Sequence, residues 1–136
     1  VVPKGNTQQP PTSRVLIAWD DGPEALAATR AVLPIIDSVD LTNICVVNPS
    51  DAGKDRSDPG GRLALLLSRA GATVEITVSA KLRSNVADQL MQHAKETGAE
   101  MIVMGAYGHS RFREAVIGGV TRTILRQAPV PVLLAN

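Results

Sequence analysis

The sequence predicts one α/β domain, a five-stranded parallel sheet sandwiched by helices, on three observations. The chain has 136 residues, enough for one domain with a real core and too few for two ordinary ones. Its hydrophobic fraction is 44% with only 2% aromatic, so the core must be built from Val, Ile, Leu and Ala, the residues of buried parallel strands and their covering helices. Short aliphatic runs alternate along the chain with segments of helical period, the pattern of right-handed βαβ crossovers.

The elements follow in order. Arg14-Val15-Leu16-Ile17-Ala18-Trp19 reads as a buried strand closed by the turn Asp20-Asp21-Gly22-Pro23. From Glu24, the residues Ala25, Ala28, Val32 and Ile35 share one helical face, with Pro23 at the start and Pro34 shortening the end. Ile44-Cys45-Val46-Val47 is the second strand, closed by Asn48-Pro49, and the polar stretch from Ser50 to Gly61 has the composition of a mobile loop. Leu63, Leu66, Leu67 and Ala70 make a one-sided helix that Gly71 ends. Val74-Glu75-Ile76-Thr77-Val78 alternates as an edge strand does. Ser84 is placed to cap a helix carrying Val86, Leu90 and Ala94 and ended at Gly98. Met101-Ile102-Val103-Met104 is the fourth strand, a short helix spans Val120 to Gln127, and Val130-Pro131-Val132-Leu133-Leu134 is the fifth strand, its prolines suiting an edge.

Composition excludes several classes. A formal charge of +1 is too small for a dedicated nucleic-acid binder, although Arg111, Arg113, Arg122 and Arg126 outnumber Glu114 in the last quarter of the chain. Cys45 is alone, so one chain can build neither a disulfide nor a cysteine metal site, and a reducing, cytoplasmic setting is expected. No run approaches the roughly 20 apolar residues of a membrane span. Residues 1–13 are polar and proline-containing and read as a linker or tail from a preceding domain, with the folded domain over 14–136.

The segment from Gly105 to Thr121 places Gly105 and Gly108 after a strand and Gly118 and Gly119 before a helix. Glycine lets backbone approach a ligand closely, and a helix start offers unpaired N–H groups and partial positive charge, so an anion is the natural guest. Ligands in such sheets bind beyond the carboxyl ends of the strands, where strand order reverses, and Asp20, Val46 and Gly105 all lie at or near such ends. Neither G-x-x-x-x-G-K-[ST] nor a G-x-G-x-x-G after the first strand occurs, which argues against P-loop NTPases and dinucleotide-binding dehydrogenases. Ser110 is not on a G-x-S-x-G elbow, so Asp20, His109 and Ser110 are a poor hydrolytic triad.

The spacing Gly105, two residues, Gly108, nine residues, Gly118 resembles the nucleotide-binding signature of the universal stress protein family. The resemblance extends from Arg14 to Leu134, through Val15 to Asp20, Gly98 to Gly105 and Ala128 to Leu134. It implies the family's Rossmann-like, adenine nucleotide alpha hydrolase-like sheet in the order 3-2-1-4-5. It also implies an adenine nucleotide, ATP or AMP with or without Mg²⁺, as ligand. Asp20 would then lie near the nucleoside, the backbone of Val46 against adenine, and Gly105, Gly108 and Gly118 around ribose and phosphates. His109 and Arg111 would rim the phosphates, and Gly119, Val120 and Thr121 would open the helix that receives them. Where the family usually has Ser or Thr after the last glycine, this chain has Gly119, which keeps the N–H and loses the hydroxyl; Thr121 is a candidate substitute. Asp21-Gly22-Pro23 replaces the usual small residues, and Asp21 would repel a triphosphate.

Family members also occur as tandem repeats and pair through their fifth strands, so Val130–Leu134 is the expected contact for a homodimer or a second universal stress protein domain. No Walker-type lysine and no clear general base accompany the loop, so at most a slow ATPase is expected. Two functions stay open: a nucleotide-linked association module in stress response, and a degenerate dimerisation or scaffold domain that binds no nucleotide. Cys45 reads as a core residue, and His93 and Arg126 as surface.

Overall fold

A computed structural model describes residues 13–47, 60–79, 86–106 and 119–135. They form β1 (Arg14–Ala18), α1 (Pro23–Val32) running into a 3₁₀ helix (Leu33–Ser38), β2 (Leu41–Val47), α2 (Gly61–Arg69), β3 (Val74–Ser79), α3 (Val86–Thr97), β4 (Met101–Gly105), α4 (Gly119–Gln127) and β5 (Val132–Ala135). The five strands are parallel in the order β3-β2-β1-β4-β5.

Alternation along the central strands sends side chains to two cores. Val15 and Ile17 of β1 and Trp19 just past it join Ile44, Val46, Met101, Val103 and Leu133 beneath α1, the 3₁₀ helix and α2. Leu16 and Ala18 join Cys45, Ile102, Met104 and Val132 beneath α3 and α4. β1 and β4 are therefore buried on both faces, which is why they read as unbroken aliphatic runs. Burial of each such Leu or Ile stabilises the fold by about 1.5–3 kcal/mol relative to exposure.

The predicted punctuation holds where it is described. Pro23 is the first helical residue of α1, and α1 gives way to the 3₁₀ helix where Pro34 withholds its N–H. Gly98 ends α3 at φ 71, and Arg14 Nη1 donates to Thr97 O at 2.7 Å, placing a cation on the carboxyl end of that helix. Two strands start more than one residue away from the expected position. β2 begins at Leu41 rather than Ile44, because Thr42 and Asn43 are buried strand residues despite their polarity. β5 is Val132–Ala135 rather than Val130–Leu134; Pro131 precedes it, giving its carbonyl to Ile102 N–H. The expected loop from Ser50 and the Ser84 cap fall outside the described residues.

Cys45 is the core residue the sequence implies. Burial pushes its thiol up to about 12, from 9.0 for a free thiol, because the thiolate would be desolvated. The unfolded chain therefore releases this proton first. The resulting contribution to stability is whole below pH 9 and falls away as pH rises from 9 towards 12. Native protein is expected to resist iodoacetamide at neutral pH and to be labelled once urea unfolds it; rapid labelling without denaturant would contradict the burial.

Candidate functional site

The chain runs from β1 outward through β2 to β3, then returns across the sheet to β4 and β5. Strand order thus reverses between β1 and β4, which pair directly through Leu16 and Ile102. Of the three residues that sequence reasoning placed at or near strand ends, Asp20 and Gly105 follow or close these adjacent strands.

Asp20 is half-buried and shapes the entry to α1: its Oδ1 accepts the Gly22 N–H at 2.9 Å, and Gly22 is the helix N-cap. Its other carboxylate oxygen has no bond to a described residue. Asp21 takes a left-handed conformation at φ 65 to complete the turn, a geometry that Asp tolerates better than most side chains. Asp21 is exposed.

Gly105 has a packing role that the sequence did not reveal. A Cβ there would stand 2.6 Å from Ala25 N, Glu24 C and Glu24 Cβ, so the absent side chain lets β4 meet the first turn of α1. Glu24 continues from this contact to Gly22, with Oε2 3.4 Å from where a Cβ on Gly22 would lie. Glu24 Oε2 and Trp19 Nε1 are both buried without a hydrogen-bond partner among the described residues. Two unspent polar groups thus sit among the residues that close this end of β1, and no sequence pattern signalled either. Trp19 is a core residue rather than an open platform.

Val46 is buried and paired in register with Val78, one position past the last β1–β2 pair at Ala18 and Cys45. Gly119 and Val120 open α4 as expected, and Thr121 is buried in its first turn. Arg122 and Arg126 are exposed. Gly108, His109, Arg111 and Gly118 lie outside the described residues. Among those described, no three His, Cys, Asp or Glu side chains converge to share a metal ion, and no helix is long and apolar enough to cross a membrane.

The family model described as universal stress protein family matches residues 11–136. The chain belongs to the universal stress protein family. Universal stress protein Slr1230 of Synechocystis is 28% identical over 126 residues, spanning 89% of this chain and 42% of its own length. The chain therefore corresponds to less than half of that relative. The structure of universal stress protein UspA from Lactobacillus plantarum superposes with a TM-score of 0.68 at 16% identity, covering 94% of this chain and all of that one. A universal stress protein solved in complex with cAMP gives a TM-score of 0.61 at 23% identity, covering 91% and 97%. At these identities the structural likenesses establish the shared fold.

Proposed function

We propose that this universal stress protein domain binds an adenine nucleotide, ATP or AMP, at the strand-order reversal and acts in the stress response through nucleotide-linked association. The observation that carries the reading is the adjacency of β1 and β4, with Asp20 and Gly105 at their carboxyl ends, in the crevice where doubly wound sheets hold their ligands. The cAMP complex of a structural neighbour supports an adenine nucleotide as the guest.

The residues present fit such a ligand. Asp20 keeps one carboxylate oxygen to accept from a nucleoside hydroxyl or amine, and α4 begins with N–H groups at Gly119, Val120 and Thr121, suited to phosphate. The Val46 backbone would meet adenine, and Gly108, His109, Arg111 and Gly118 would surround ribose and phosphates, with or without Mg²⁺. The domain is at most a slow ATPase on this reading. Its output is association, as a homodimer or with a second universal stress protein domain, through the Val130–Leu134 segment at the β5 edge, in the cytoplasm.

A specific observation favours a second reading, the degenerate scaffold. Thr121 is only 4% exposed, so the side chain best placed to replace the hydroxyl lost at Gly119 is enclosed by the fold. Calorimetry with ATP and AMP, with and without Mg²⁺, alongside mass spectrometry of nucleotide released from purified protein, separates the two. Saturable heat or a co-purified nucleotide is expected. Absence of both at millimolar nucleotide sinks the binding reading and leaves the scaffold.

A further inference from the structure

Among the described residues, the exposed large apolar side chains gather at one place: Leu65 and Leu66 lie on α2, and Ile76 and Val78 on β3, with only Leu125 elsewhere. β3 ends the sheet beside β2. Edge strands are usually blunted by lysine, proline or a bulge, because their outward N–H and C=O groups template association. β3 has neither Lys nor Pro. Its one charged side chain, Glu75, turns to the α3 face, where it accepts from Asn43 Nδ2 at 2.9 Å.

Thr73 O accepts from Thr42 N–H at 2.8 Å, so by strand alternation Glu75, Thr77 and Ser79 also turn their N–H and C=O groups to β2. Val74, Ile76 and Val78 turn theirs to the open side. Ile76 and Val78 stand in register with Ile44 and Val46, so their side chains lie on the α2 face, where they are 38% and 49% exposed.

The helix above supplies charge. Leu63 and Leu67 of α2 are buried and Ala64 packs on the same core, whereas Arg62, Leu66 and Arg69 form an exposed stripe at i, i+4 and i+7 on the other flank. In a right-handed β2–α2–β3 crossover that flank overhangs the open side of β3. Arg62 and Arg69 stand about 10 Å apart along the helix axis. A second copy is a poor occupant, because two-fold pairing of β3 strands would bring Arg62 of one copy toward Arg69 of the other. The complementary occupant is a foreign strand with two acidic side chains on one face. At four positions' separation these stand about 13 Å apart, a span that two long arginines can meet.

We propose that the β3 edge and the α2 overhang bind an extended segment of another protein with the pattern acidic-x-apolar-x-acidic. Its backbone pairs with Ile76 and Val78, its central apolar side chain covers these two residues and Leu66, and its carboxylates meet Arg62 and Arg69. The site lies at the opposite edge of the sheet from β5 and does not depend on nucleotide binding.

The test is titration of nucleotide-free protein with the peptide Thr-Ser-Glu-Thr-Val-Thr-Glu-Thr-Ser and with its counterpart carrying lysine for glutamate, read by fluorescence anisotropy and amide hydrogen exchange. Saturable binding of the acidic peptide alone is expected, with exchange slowed at the Ile76 and Val78 amides and unchanged at Thr77, whose N–H already faces β2. Val78→Pro removes an outward N–H without touching the β2 ladder and should abolish binding. If that variant misfolds, Arg69→Glu should weaken the acidic peptide about fivefold, the upper range for an exposed ion pair. Equal binding of the two peptides, no slowing at Ile76 and Val78, or binding that survives in folded Val78→Pro would overturn the proposal. So would dimers of the protein alone that Val78→Pro dissolves in sedimentation, which would give the edge to a second copy.

Discussion

Gly105→Ala is expected to lower stability by about 2–3 kcal/mol, the cost of forcing extra volume into a packed interior. The new Cβ would stand 2.6 Å from backbone atoms of Glu24 and Ala25, closer than such contacts allow. Neither side can retreat cheaply. Gly105 is held in register with Ala135, and the first turn of α1 is fixed by the bond from Gly22 N–H to Asp20. Urea unfolding measures the loss, which for a domain of this size also appears as a fall in Tm of roughly 10 °C. Gly98→Ala is the control, since its Cβ would clear Arg14 by 3.7 Å and only the left-handed φ would be strained; it should cost about 1 kcal/mol. A loss at Gly105 no greater than at Gly98 would mean that β4 and α1 can slide apart.

Gly118→Val should abolish adenine nucleotide binding while the circular dichroism spectrum stays native. If Gly118 borders the phosphates, a β-branched side chain would occupy the space that the backbone needs for close approach. The complementary change is Gly119→Ser, which restores the hydroxyl usual in the family. One hydrogen bond to a charged oxygen is worth roughly 1.5–3 kcal/mol, so affinity should rise by about one to two decades. Calorimetry on the three proteins checks both. Unchanged affinity in Gly118→Val would place the site elsewhere, and indifference to serine would show that position 119 does not meet a phosphate.

Local pattern was sufficient for most of the fold, because β1 and β4 are enclosed on both sides and their aliphatic residues, Val15 to Ala18 and Met101 to Met104, say so. It failed at Asn43, whose place inside β2 depends on Glu75, Thr77 and His93, partners on two other elements. The same bonds explain why His93, read as surface, is half-buried. At the candidate site, Asp20 and Gly105 were legible because topology alone makes strand ends important. What Gly105 touches was not, since its closest neighbours come from a helix some eighty positions earlier. The unspent oxygen of Glu24 is likewise a product of packing and has no signature in one dimension.

The pairing of β1 with β4 also sets the order in which the chain can fold. Arg14 and Thr97, which bond across the end of this pair, are 83 positions apart. As the chain emerges from the ribosome, β1, β2 and β3 can assemble in turn while β1, the most apolar of them, remains a raw edge. Only when β4 arrives is that edge sealed. A half-sheet formed first would expose that edge to self-association, so yield in the cell is expected to fall when synthesis stalls between β3 and β4, which pulse-chase of soluble protein measures.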